Sequence, residues 1–117
     1  DVLMIHAAGN DASDIDYTDN FPKKPYYNFE DSSNRQLFLN IGANTRNTGD
    51  QLVASFSNYG ASEVDVFAPG FEIYNSVPQS DYKNLQGTSM AAPMVSGVAA
   101  LLKSRFPQAS CWKSAMP

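Results

Sequence analysis

The sequence is poor in the residues that most chemistry uses. It has one cysteine, Cys111, which excludes an internal disulfide framework. That cysteine has no basic neighbour except Lys113 and no histidine after it, and reads as an unpaired thiol near a chain end. There is one histidine, His6. No apolar run reaches the roughly 18 residues of a membrane span, so no membrane partner is expected. The net charge is only −4 and is spread along the chain, which argues against a nucleic-acid footprint. The start, Asp1 to Ala8, has neither the basic beginning nor the small-residue cleavage site of a signal peptide, so no targeting address is expected there.

What remains is ordinary for a soluble domain. Of 117 residues, 43% are apolar and 17% charged, enough for one small domain with its own core. Val2-Leu3-Met4-Ile5 predicts a strand buried on both faces, ending in the turn Gly9-Asn10-Asp11. Residues 11–36 are polar, carry Pro22, Pro25 and a Tyr26-Tyr27 pair, and predict a long surface excursion. Leu37 to Gly42 and Val64 to Ala68 predict two more strands, the second stopped by Pro69-Gly70. Phe71 to Val77 and Tyr82 to Leu85 predict a hairpin joined through residues 78–81. A helix is expected from Thr88 to just before Pro107, with Thr88 as its cap and Lys103 and Arg105 in the last turn. Its interior is apolar on nearly every face, which predicts burial, and its small residues allow close neighbours. Pro93 is placed near the first turn, where a missing N–H costs least.

Two segments carry candidate chemistry. Gly87-Thr88-Ser89 puts a hydroxyl at a helix start, beside unpaired backbone N–H groups and the positive end of the dipole. Those N–H groups suit an oxyanion formed when the hydroxyl attacks a carbonyl, although a serine there can equally be a plain helix cap. Gly9-Asn10 puts a carboxamide just past the carboxyl end of a buried strand, where ligands of open α/β sheets collect. An amide donates without carrying charge, as an oxyanion partner should; an ordinary Gly-Asn turn is the plainer alternative. Asp11, Asp14, Asp16 and Asp19 cluster in the loop and raise calcium, but their spacing is not that of an EF-hand, and a solvated acidic loop is expected. No cofactor or metal is otherwise implied.

Taken together the motifs are specific. Gly87-Thr88-Ser89-Met90-Ala91-Ala92-Pro93 with Met94 to Leu102 resembles the nucleophile helix of the subtilisin-like serine peptidases, the subtilases of peptidase family S8. Ala7-Ala8-Gly9-Asn10-Asp11 resembles their oxyanion segment, and Ala54 to Gly60 and Val64 to Gly70 resemble the stretches between. The resemblance implies an α/β fold, part of a three-layer sandwich, with a parallel sheet and a buried nucleophile helix. It implies that residues 1–117 are the C-terminal portion of a catalytic domain whose Asp and His come earlier, since the subtilisin triad runs Asp, His, Ser. Ser89 would be the nucleophile, Asn10 the oxyanion donor, and Ala7, Ala8 and Gly9 a wall of the substrate pocket. The resemblance further implies peptide or protein substrates and an extracytoplasmic or secreted location.

Departures from the family pattern are Met94, where many members have histidine, the longer stretch 12–36, and the ending 111–117. His6 lies inside the first strand and is expected to pack there. Without a base the serine is a weak nucleophile, so the isolated chain is expected to be close to inactive. An α/β-hydrolase needs an acid and a histidine after the serine, and residues 90–117 hold neither Asp, Glu nor His. A trypsin-like double barrel needs more chain and a Gly-Asp-Ser-Gly motif. The alternative from another class is a non-catalytic pseudo-peptidase or a self-associating binding module.

Overall fold

The computed structural model describes residues 2–22 and 37–108. Three strands, β1 (Met4–Ala7), β2 (Phe38–Asn44) and β3 (Val66–Pro69), form a parallel sheet in the order β1-β2-β3. Met4 pairs with Phe38 and Ile41 with Val66, so β2 is central. A central parallel strand meets protein on both faces, and β2 is buried from Phe38 through Ala43. Two further strands, β4 (Ile73–Val77) and β5 (Asp81–Leu85), form the expected antiparallel hairpin, with Gln79 and Ser80 at positive φ in its turn. The helix, α1 (Thr88–Arg105), crosses all three parallel strands. The fold class is therefore the expected α/β one. Cys111, the ending after it and residues 23–36 lie outside the described residues.

Side-chain alternation along β2 builds two apolar clusters. Leu39, Ile41 and Ala43 face α1 and close over Ala54, Ala68, Ala91 and Val95. Across the sheet, Ala8, Ile15 and Val64 pack with Phe67, whose ring lies against Gly42. A Cβ on Gly42 would come within 2.3 Å of that ring.

Three local expectations need correction. The first strand lies two residues later than its apolar run, because pairing with β2 decides its bounds. The residue capping α1 is Gly87, at φ 145°, and Thr88 is the first helical residue with its side chain turned elsewhere. Pro93 is the sixth helical residue, so it denies the Ser89 carbonyl its i+4 hydrogen bond.

Burial of α1 is confined to one stripe, Thr88, Ala91 and Val95. Met94, Val98 and Leu101, spaced to share a face, are 40%, 52% and 73% exposed. The expected burial of the helix on nearly every face is therefore corrected: among the described residues the sheet covers one stripe of it and the opposite apolar face is open. Gly97 shows the same: a Cβ there would meet nothing within 4 Å.

Candidate active site

The site forms where the end of β1 meets the start of α1. Gly9 has φ +104°, a conformation open to glycine, and its N–H donates to Thr88 Oγ1 at 3.2 Å. The next residue, Asn10, turns its side-chain oxygen to the helix. Asn10 Oδ1 accepts from the Thr88 N–H at 2.9 Å and from the Thr88 hydroxyl at 3.0 Å. The carboxamide thereby satisfies one of the free amides of the first helical turn from outside the helix. Spending the oxygen in this way leaves the Nδ2 donors as the outward end of the group.

Ser89 follows as the second helical residue, exposed, its hydroxyl making no hydrogen bond among the described residues. A methyl group built on Gly87 would lie 3.5 Å from Asn10 Nδ2 and 3.7 Å from the Ser89 backbone nitrogen. Both donors thus flank one small volume beside Gly87. Close backbone approach makes this possible. A Cβ on Gly70 would sit 2.8 Å from the Gly87 carbonyl oxygen, while the Gly87 N–H donates to the Gly70 carbonyl at 2.8 Å.

On its other side Ser89 borders a groove of about 410 Å³ between α1 and the hairpin. Ile73, Leu85, Met90, Pro93 and Met94 make its walls largely apolar. Apolar walls beside a hydroxyl at a helix start make a place where an acyl group can be received and its oxyanion held, given a base.

None of Ala7, Ala8 and Gly9 lines that groove. Ala8 is fully buried, its methyl in the second apolar cluster and its carbonyl taken by Asn58 Nδ2 at 2.9 Å and Asn20 Nδ2 at 3.2 Å. His6 packs in the strand, as its position suggested. Its Nδ1–H donates to Asn40 Oδ1 at 2.9 Å, and its ring tilts against Phe38. Asp14 and Asp16 spend their carboxylates on backbone N–H groups, Asp14 on Asp16 and Asp16 on Ser62 and Glu63. No group of three or more His, Cys, Asp or Glu side chains converges among the described residues. No helix of the described residues is long and apolar enough to cross a membrane.

The model of the subtilase family matches residues 1–116. The chain belongs to the subtilase family. Among relatives of this subtilase, Subtilisin BL of Lederbergia lenta is 37% identical over 107 residues, covering 91% of this chain and 33% of that protein. Subtilisin-like protease 2 of Plasmodium falciparum is 36% identical over 102 residues, covering 87% of this chain and 7% of that protein. A crystal structure of a cold-adapted subtilisin-like serine proteinase superposes with TM-score 0.68 at 34% identity, over 90% of this chain and 33% of that one. The self-cleaved protease domain of PatA superposes with TM-score 0.65 at 33% identity, over 89% and 34% of the respective chains. The subtilase chain thus spans about a third or less of the proteins it matches.

Two contributors carry no local signal in the sequence. Thr88, expected to cap the helix, instead orients Asn10. Asn58, inside Phe56-Ser57-Asn58-Tyr59, is buried and holds the segment that carries Asn10. A lone asparagine in a turn gives no sign of that duty.

Proposed function

We propose that residues 1–117 are the C-terminal, nucleophile-bearing portion of the catalytic domain of a subtilisin-type serine endopeptidase. Ser89 gives its proton to the base and attacks the carbonyl of a peptide bond. The C–N bond breaks as that proton passes to the leaving amine, Ser89 is left acylated, and water then hydrolyses the ester to free the acid and the serine. The Asn10 carboxamide and the Ser89 N–H hold the oxyanion, and the chain around Ala7, Ala8 and Gly9 borders the substrate side chain. A histidine and an aspartate from the preceding part of the domain supply the base and its orienting partner. The observation that supports this reading best is the anchoring of Asn10 Oδ1 to Thr88, which turns the amide donors toward the volume beside Ser89 N–H. Calcium is not required by any step, and the extracytoplasmic location belongs to the same proposal on family grounds.

The partner of this portion is the rest of its own domain. Family relatives are about three times as long or longer, and the Met94, Val98 and Leu101 face continues from the groove beside Ser89. Alone, the chain lacks a base and exposes that face, so it self-associates and is close to inert. A pseudo-peptidase would share the fold and lack the upstream Asp and His.

A fluorophosphonate probe on the full-length protein tests the reading. Covalent labelling that disappears in Ser89→Ala is expected. An unlabelled full-length protein with an Asp and a His upstream would overturn the catalytic assignment, and their absence upstream would favour the binding protein.

A further inference from the structure

Asn58 lies 48 residues beyond Asn10 in the chain and is only 2% exposed. Its carboxamide uses every polar position it has. Oδ1 accepts from the Asp11 N–H at 2.9 Å and the Ser13 N–H at 3.0 Å. Nδ2 donates to the Ala8 carbonyl at 2.9 Å and reaches Asp11 Oδ2 at 3.5 Å. Two lone pairs and two N–H bonds are the whole capacity of an amide, so none is left over. The Asn58 backbone N–H adds a bond to the Gly9 carbonyl at 2.9 Å. These partners stand on both sides of residue 10 and fix the peptide units that flank it.

Asn58 is itself held to the central strand. The Ser57 hydroxyl accepts from the Ala43 N–H at 2.9 Å and donates to the Asn58 carbonyl at 2.9 Å. Gly9 fits against it without clearance: a Cβ there would lie 2.4 Å from Asn58 Nδ2. Asn10 therefore has two independent anchors, its side-chain oxygen on Thr88 and its backbone on Asn58.

We propose that Asn58 is a positioning residue for the Asn10 carboxamide, a role that rests on the hydrolytic reading above. It tethers loop 8–13 to β2, so that Nδ2 of Asn10 meets the oxyanion without reorganising during the reaction. Loosening the tether weakens transition-state binding more than substrate binding, and so lowers kcat more than it raises KM. A residue that only stabilised the fold would change the melting temperature and the fraction of active sites, not kcat per active site.

The test uses the full-length protein, with active sites titrated by a fluorophosphonate and kcat and KM measured on a peptide anilide. Asn58→Ser removes the clamp; Ser57→Ala, which deletes only the hydroxyl that ties the Asn58 carbonyl to the Ala43 N–H, is the milder second variant should the first fold poorly. We expect kcat per titrated site to fall about tenfold or more with KM within about twofold, and the effect of either variant to shrink below about twofold in an Asn10→Ala background. An equal loss in both backgrounds, or an unchanged kcat per titrated site, would overturn the positioning role. Full-length wild type that neither labels nor hydrolyses would instead sink the underlying hydrolase reading, and this role with it.

Discussion

Asn10 and Thr88 are 78 residues apart in sequence and joined by two hydrogen bonds to one oxygen, from the Thr88 N–H at 2.9 Å and its hydroxyl at 3.0 Å. A carboxamide has an accepting and a donating end, and this pairing decides which faces outward. The arrangement couples helix stability to the orientation of a candidate oxyanion donor, and the two can be separated by substitution.

Asn10→Asp keeps an oxygen for Thr88 and loses the Nδ2 donor. It also places negative charge at a helix N-terminus, worth about 0.3–1 kcal/mol of stabilisation. In the full-length protein the melting temperature should hold or rise while kcat falls about 10²–10³-fold, the known effect of removing one such donor from a subtilisin of the same family. A parallel loss of stability and kcat would count against the assignment.

Thr88 is fully buried, and Thr88→Val keeps its shape while deleting the hydroxyl. The Gly9 N–H then loses its acceptor and Asn10 loses one of two anchors. Urea unfolding of the full-length protein should show a loss of about 1–3 kcal/mol. Thr88→Ser, which keeps the hydroxyl, should cost less in stability and retain more of kcat.

Gly70→Ala tests the close approach under the site. Its methyl would lie 2.6 Å from the Ala43 methyl and 2.8 Å from the Gly87 carbonyl oxygen. Backbone must shift to admit it, at a cost of about 1–3 kcal/mol. Gly87 directly precedes Thr88, so kcat should fall as well. Unaltered stability and kcat would show that the strand and the helix start are not tightly packed here.

The exposed face of α1 makes a separate prediction for isolated residues 1–117. Light scattering should show oligomers, and the double substitution Val98→Glu with Leu101→Lys should shift them toward monomer, since apolar area at those two positions drives the association. A dilute, stable monomer of the unaltered chain would defeat it.

Gly97→Ala distinguishes a covered helix face from an open one. Open, the substitution gains helix propensity and stabilises by about 0.5–1 kcal/mol. Covered by the rest of the domain, the added methyl meets a neighbour. We expect the full-length protein to be destabilised; a gain in thermal stability would mean that this face stays open.

Much of the layout was legible because it is local. The hairpin shows in the connection from Pro78 to Asp81 between short runs carrying Ile73, Tyr74, Val77, Tyr82 and Leu85, the helix in its long apolar run, and the three parallel strands in short apolar runs closed by turn residues. Where partners across the molecule decide, local reading slips. β1 lies two residues further on because its register is set by β2, and the α1 cap is Gly87 because Thr88 is drawn to Asn10. Asn58 was invisible as a site residue, since four of its bonds run to residues 45–50 positions away.

The amino-acid order alone determined which chemical groups the chain offers and that they follow the family's succession: a carboxamide after a strand, then a hydroxyl at a helix start. Only the tertiary structure decided that the carboxamide reaches the helix start, with its nitrogen and the Ser89 backbone nitrogen 3.5 and 3.7 Å from one point beside Gly87. The reason is physical. An asparagine side chain has no preferred direction of its own, and it was the partners contributed by Thr88 that took the oxygen and left the N–H bonds on the side of Gly87 and the Ser89 backbone nitrogen.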